Sequence, residues 1–190
     1  TLALIPAIAM VGTFPLAALN RNREGSWTAG DLNNVRQIMA AVTMYTVDNS
    51  EVLPHPTWGT VPNGVGGWAY AIKNEAGVPG LPATIPNAQG QEDNTAQLPF
   101  ARQGQLAPYL SSLQVLECPK DVQQRTDPVY QGWYLDRPCK ITSYNWNAAA
   151  SGYVGTRRGP FRLSDFRGTD ILQWEANEER PFNFNDASAN

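Results

Sequence analysis

Hydrophobic residues are concentrated at the start of the chain. Residues 1–19 contain no charged side chain and consist largely of Ala, Leu and Ile, with two prolines. A helix over this segment would extend about 29 Å, close to the thickness of about 30 Å of a bilayer core. The segment is therefore predicted to form an apolar helix that crosses a membrane or packs against identical helices, and its small residues favour such close packing.

A second helical pattern follows a polar stretch. Residues 20–31 are polar, whereas apolar residues from Leu32 onwards recur every three or four positions, as on one face of an amphipathic helix. The apolar positions are Leu32, Val35, Ile38, Met39, Val42 and Tyr45. We expect this helix to end between residues 48 and 54. Pro15 and Gly25 predict interruptions of the long N-terminal helix, because proline lacks a backbone donor and glycine weakens helices.

The remainder of the chain, residues 53–190, predicts a loop-rich globular head. Proline and glycine, which favour turns, are frequent between residues 53 and 108. Short runs bounded by Pro, Gly, Asn or Asp then predict strands over residues 113–118, 141–146 and 170–175. The predicted fold class is α+β: a long N-terminal helix within residues 1–52 packs on a small antiparallel sheet with long loops.

Composition and charge exclude several classes of protein. Of 190 residues, 16 are Gly and 15 are Pro, which is too many helix-interrupting residues for a helical bundle. The 14 basic and 17 acidic residues give a net charge of −3, so the basic surface that nucleic acid binding needs is missing. One histidine and two cysteines cannot build the usual zinc ligand sets. We therefore predict no catalytic residues, no cofactor and no nucleic acid partner.

The two cysteines, Cys118 and Cys139, flank a segment that contains Pro and Asp. A bridge between them would close a loop and stabilise the fold by roughly 3 kcal/mol through the entropy of the unfolded chain. We expect this disulfide, because the anchor-like start and the loop-rich head indicate an oxidising compartment. The alternative is a pair of reduced cysteines in the core.

Five segments occur in an order that resembles the type IV pilin and type II secretion pseudopilin superfamily. They are FPLAALNRNRE, LNNVRQIMAAVTMYTVDNSEVLP, QLAPYLSSLQVLECPKD, SYNWNAAASGY and FRLSDFRGTDILQWEANEERPFNFND. More narrowly, the chain looks like the pilin-like proteins of planctomycetes and verrucomicrobia. The most specific segments are residues 32–54, a helix with a Tyr, Asp, Asn and Leu-Pro exit, and residues 115–121, with a Cys-Pro-x-Asp turn.

The resemblance implies a structural subunit of a homopolymeric, extracellular, pilus-like filament. Such a subunit is made in the inner membrane, cleaved by a prepilin peptidase and polymerised by assembly machinery. The apolar helices then form the filament core, and the heads form a surface outside the cell. The positions that would form this core are Leu2, Leu4, Ile5, Ile8, Val11, Phe14, Pro15, Leu16 and Leu19.

Two other functions remain open at the level of sequence. A pseudopilin, whose short polymer acts in type II secretion, fits the same segments. A membrane-anchored carbohydrate-binding module would use exposed aromatic rings, although such rings more often pack in cores and interfaces. The chain has six tryptophans, at Trp27, Trp58, Trp68, Trp133, Trp146 and Trp174.

Signals for bound small groups are weak. Residues 183–190, together with Asp48 and Asp121, offer the oxygen ligands that calcium prefers, but without a regular ligand spacing. The letters GVGGWA over residues 64–69 fit a dinucleotide fingerprint. Prolines precede them where that fingerprint requires a buried strand, so we do not assign a nucleotide site.

Overall fold

The computed structural model describes residues 14–56, 67–71, 94–151, 161–177, 179 and 188–189. Over these residues the chain is α+β, with a long N-terminal helix and a small sheet, as predicted. The α-helices are α1 (Phe14–Asp48), α2 (Leu98–Ala101), α3 (Pro119–Gln124) and α4 (Gln131–Leu135). The strands are β1 (Tyr144–Asn147), β2 (Gln173–Glu175) and β3 (Ser188–Ala189). Single 3-10 turns cover Ala107–Tyr109, Leu113–Leu116, Ala148–Ser151 and Leu163–Asp165.

Helix α1 is continuous over 35 residues, a length of about 52 Å. The interruption expected near Gly25 is corrected, because the helix runs through that residue. Glycine costs a helix only about 1 kcal/mol relative to alanine, which the flanking helical residues offset. Pro15 is the second residue of the described helix, so the interruption expected there lies at the edge of the described residues.

The helix ends in a tight reversal at Ser50 and Glu51. Both residues adopt left-handed backbone, with φ angles of 55° and 66°. The Glu51 N–H closes the reversal by donating to the Thr46 carbonyl at 2.7 Å. The Asn49 side chain donates to the Tyr45 carbonyl at 2.8 Å. The helix therefore ends at Asp48, within the predicted interval of residues 48–54.

The core lies between the C-terminal half of α1 and the head. Ile38, Ala41 and Val42 of α1 are buried, and this helix contacts the 3-10 turn Leu113–Leu116. Trp68 and Trp146 are both fully buried, with ring centroids 5.3 Å apart. Two of the six tryptophans thus serve core packing.

Strand β1 lies at the centre of the described sheet. It pairs antiparallel with β2, with Tyr144 opposite Glu175, and parallel with β3. The antiparallel pairing of β1 with β2 is as predicted, and the parallel pairing with β3 makes the described sheet mixed. Strands β1 and β2 overlap the predicted runs 141–146 and 170–175. The predicted strand over 113–118 is wrong: its first four residues form the 3-10 turn Leu113–Leu116, which begins after Ser112, whose side chain accepts from the Gln114 N–H at 3.2 Å.

Candidate functional site

Most of the predicted assembly positions lie outside the described residues. These are Leu2, Leu4, Ile5, Ile8 and Val11. Phe14, Pro15, Leu16 and Leu19 belong to α1, but only their helical backbone falls within the described part. None of the helices in the described ranges is both long enough and apolar enough to cross a bilayer. The apolar segment predicted from the sequence lies largely before those ranges.

The N-terminal half of α1 differs from the C-terminal half in burial. We call residues 14–30 the stalk. Side chains of residues 23–30 are exposed or only partly buried, and among the described side chains of α1, which start at Arg23, the first buried one is that of Ile38. Gly30 marks the point where the helix meets the head, since a Cβ at that position would lie 2.9 Å from Pro119 Cγ. The C-terminal half of α1 is thus embedded in the head, while residues 23–30 present their side chains to the surroundings.

An open cleft of about 830 Å³ lies between the stalk and the head, and we call it the helix–head cleft. Three partly buried aromatic rings line it: Trp27 from the stalk and Tyr130 and Trp133 from the head. The Tyr130 and Trp133 ring centroids are 5.3 Å apart, with planes inclined at 57°. The Arg23 guanidinium lies 5.0 Å from the centroid of the Trp27 ring. The remaining lining residues include Glu24, Lys120, Gln123, Gln124, Thr126, Asp127, Glu175, Asn177 and Glu179.

A recess of about 360 Å³ adjoins this cleft and shares Glu24, Trp27, Lys120 and Glu175 with it. Here the Cys118 sulfur and carboxylate oxygens of Asp31 and Glu175 lie within 4.8 Å of one another. Metals bind the thiolate form of cysteine, but burial raises the pKa of the Cys118 thiol and keeps it protonated. The Tyr144 hydroxyl already donates to Asp31 Oδ1 at 2.6 Å. The thiol in the recess is therefore neutral and lies among hydrogen-bonding groups.

The structure differs from the sequence expectation at the two cysteines. Cys118 and Cys139 are both buried and are not joined in a disulfide. The Cys118 sulfur lies beside Asp31 and Glu175, and the Cys118 N–H donates to Ser143 Oγ at 2.9 Å. The disulfide remains a prediction from the sequence. Mass spectrometry of the unfolded, unreduced chain after alkylation distinguishes two alkylated thiols from a bridge.

A buried ionic network centres on Asp121. This residue is 1% exposed, and Asp121 Oδ2 accepts from Arg137 Nη1 at 2.8 Å and from Ser143 Oγ at 2.6 Å. Arg125 pairs with Glu117 at 2.6 Å and lies 3.9 Å from Asp121. Buried charges are tolerated only when they are paired and hydrogen bonded. The network therefore joins α3, the segment after α4 and the start of β1 into one unit.

The Tyr134 ring lies within this network and faces three cations. The Arg125 and Arg137 guanidinium carbons are 4.6 and 5.5 Å from its centroid, and Lys140 Nζ is 5.6 Å away. Such contacts stabilise cations that burial has removed from water. Burial raises the pKa of Tyr134 to about 12, although the two arginines oppose that change. Burial also raises the pKa of Glu117, against the opposing effect of Arg125.

The residues considered for calcium are not brought together within the described ranges. Asp121 is held by Arg137 and Ser143. Asp48, at the end of α1, accepts a hydrogen bond from the Tyr109 hydroxyl at 2.8 Å. Residues 183–187 and 190 lie outside the described part. The two aspartates therefore belong to separate networks.

No protein-family model, curated protein or solved structure matches the chain.

Sequence reasoning missed the helix–head cleft. Trp27 is about a hundred positions away in the chain from Tyr130 and Trp133, and no local pattern indicates that they meet. The available signal was the run YQGWY over residues 130–134, which places three aromatic residues on a short helix. Burial divides them, since Tyr134 points into the ionic network while Tyr130 and Trp133 line the cleft.

Proposed function

We propose that this chain is the structural subunit of an extracellular, pilus-like homopolymer that assembles through its N-terminal helix. The observation that carries the proposal is the division of α1 into a buried half and a stalk. The stalk includes the last six of the apolar residues 1–19, which have no charged side chain. A helix with an uncharged end and a head at the other end suits packing side by side with its copies.

The dimensions support this arrangement. Helix α1 extends about 52 Å, whereas a compact head of about 140 residues has a radius of gyration of about 14 Å. The helix is therefore longer than the head that holds it. Apolar segments of identical neighbours can then associate in a central bundle, because helices satisfy their own backbone hydrogen bonds in an apolar environment.

The head contributes a surface that does not depend on the polymer. In its ionic network, Asp121 of α3 accepts hydrogen bonds from Arg137, which follows α4, and from Ser143, which precedes β1. The C-terminal half of α1 completes the core, with Ile38, Ala41 and Val42 buried. In the proposed filament, each head folds on its own helix and needs no neighbour to complete its core.

Detergent removal from the purified full-length chain, followed by negative-stain electron microscopy, tests the proposal. We expect uniform helical fibres, and electron microscopy of cells should show fibres at the surface. Particles that remain monomeric after detergent removal would contradict polymerisation. Short fibres confined to the periplasm would indicate a secretion pseudopilus instead of a surface filament.

A further inference from the structure

The helix–head cleft has the size and openness of a ligand site. Its volume of about 830 Å³ falls within the range of roughly 300–1,000 Å³ that is typical of small-molecule sites. The stalk lines one side, and α3, α4, the turn between them, β2 and the residues after β2 line the other. A ligand in the cleft would therefore contact both parts of the chain.

The aromatic rings of the cleft are less buried than the tryptophan rings of the core. Trp68 and Trp146 are fully buried and stack on each other in the core, whereas Trp27 and Trp133 remain partly exposed. Leaving large apolar rings in contact with water sacrifices the free energy of burying them. Rings that line a concave surface regain that free energy when a ligand covers them.

The polar lining selects the chemical class of that ligand. Carboxylates and side-chain amides surround the rings. Carboxylates accept hydrogen bonds from hydroxyl groups, and side-chain amides both donate and accept them. A pyranose ring combines an apolar C–H face that stacks on aromatic rings with hydroxyl groups at its edge. Both requirements of a sugar are thus present in the same cleft.

The charged side chains of the lining further limit the class of ligand. Four acidic side chains and two basic ones line the cleft, so an anionic polysaccharide would meet like charge. A cationic ligand would lie beside Arg23 and Lys120, and Arg23 already lies over the Trp27 ring. A neutral ligand avoids both conflicts.

We propose that the helix–head cleft binds a neutral oligosaccharide, with Trp27 and Trp133 stacking on its pyranose rings. The surrounding carboxylates and amides bind the hydroxyl groups. This binding is a property of one subunit and does not depend on polymerisation. In a surface filament it would make each subunit a point of attachment to a glycan.

Isothermal titration calorimetry of the full-length chain tests this proposal, in a detergent without a sugar headgroup. The probes are the neutral hexasaccharides cellohexaose, mannohexaose and chitohexaose, an anionic guluronate hexamer and oligolysine. We expect at least one neutral hexasaccharide to bind more tightly than the guluronate hexamer and oligolysine. Trp27→Ala and Trp133→Ala should each weaken that binding at least about tenfold. Loss of one aromatic ring that stacks on a base has an effect of this size in proteins that bind single-stranded nucleic acid. Trp174→Ala is the matched control, because Trp174 is partly buried outside the cleft, and it should change affinity less than about twofold.

Hydroxyl-radical footprinting of the unmodified chain removes any dependence on how the variants fold. The bound hexasaccharide should protect Trp27, Tyr130 and Trp133 from oxidation and leave Trp174 unprotected. The proposal is overturned if none of the three neutral probes binds at millimolar concentration. It is also overturned if oligolysine or the guluronate hexamer binds more tightly, or if both folded tryptophan variants bind as the unmodified chain does.

Discussion

Asp121 is a carboxylate that the fold removes almost completely from water, with 1% of its surface exposed. It accepts hydrogen bonds from Arg137, itself 3% exposed, and from Ser143. Burial of such a pair gains little over an apolar pair of the same volume, but removal of one partner leaves a buried charge without its counter-ion. The carboxylate is therefore a condition for folding this part of the head.

We predict that Asp121→Asn lowers the free energy of unfolding by about 3–5 kcal/mol. Urea denaturation followed by circular dichroism measures this loss. Asp136→Asn is the matched control, because Asp136 is exposed, and it should change stability by less than about 0.5 kcal/mol. The additional change Arg137→Met should restore part of the lost stability. Equal stability of the Asp121 and Asp136 variants would show that the buried pair does not act as described.

Tyr134 gives the head a specific sensitivity to alkali. Burial raises its pKa to about 12 from an ordinary value of 10.0, so the folded state keeps the phenol proton at a pH where the unfolded state loses it. The stabilisation is complete below pH 10 and is lost as the pH rises to 12. The difference corresponds to about 3 kcal/mol.

We predict that between about pH 10 and pH 12 the unmodified chain loses about 3 kcal/mol more stability than Tyr134→Phe. Denaturation curves of the two proteins across this interval provide the measurement, since the other tyrosines contribute equally to both. Parallel pH profiles would mean that Tyr134 ionises as easily in the folded chain as in the unfolded one.

At the scale of elements, two glycines of α1 have opposite surroundings. A Cβ at Gly25 would meet nothing within 4 Å, whereas a Cβ at Gly30 would lie 2.9 Å from Pro119 Cγ. The first glycine only weakens the helix. The second permits the close approach of α1 to the start of α3.

We predict that Gly25→Ala increases the helicity of the stalk, by up to about 1 kcal/mol in local stability. Gly30→Ala should instead lower the free energy of unfolding by about 1–3 kcal/mol, because the added methyl group crowds the Pro119 ring. Amide hydrogen exchange over residues 23–30 reports the first effect, and thermal unfolding reports the second. If both substitutions stabilised the chain, the packing of α1 on Pro119 would be looser than described.

The elements differ in how well local sequence predicts them. The three- and four-residue spacing from Val35 to Tyr45 gives the embedded half of α1 correctly, because burial follows that periodicity. Leu32 belongs to the same pattern but is 48% exposed, since α1 has only just reached the head there. The run 113–118 has the composition of a strand, yet the Ser112 cap and the following Cys-Pro start a 3-10 turn and helix α3. In this run, the strand propensity of the residues is outweighed by the Ser112 cap and by Pro119 at the first position of α3.

At the scale of the whole molecule, the proposed assembly depends on the uncharged residues 1–19. We predict that Val11→Asp and Ile8→Asp abolish fibre formation, because a carboxylate in an apolar helical bundle costs about 2.5–3.5 kcal/mol for each subunit. Electron microscopy after detergent removal gives the outcome. Val47→Asp introduces the same charge at the opposite end of α1, where the side chain is 77% exposed, and should leave the fibres intact. Long fibres formed by the Val11 variant would contradict assembly through this segment.

The candidate site was less predictable than the fold, for a physical reason. The apolar segment can be identified from composition because transfer to an apolar environment depends on each residue separately. The helix–head cleft depends on the distance between Trp27 and Trp133, which only the packing of α1 on α3 sets. The ionic network was unpredictable for the same reason. In the sequence, Glu117, Asp121 and Arg137 look like ordinary exposed charged residues, and only the fold buries them together.

The embedding of the C-terminal half of α1 also determines how the molecule would respond to mechanical load. Tension applied to the stalk acts along the helix axis and reaches Ile38, Ala41 and Val42 together, because all three lie buried on the same helix. Such contacts are sheared in parallel and are not peeled apart one after another. A fibre built from this subunit would therefore carry pulling forces through its helices, and its heads would stay folded under traction.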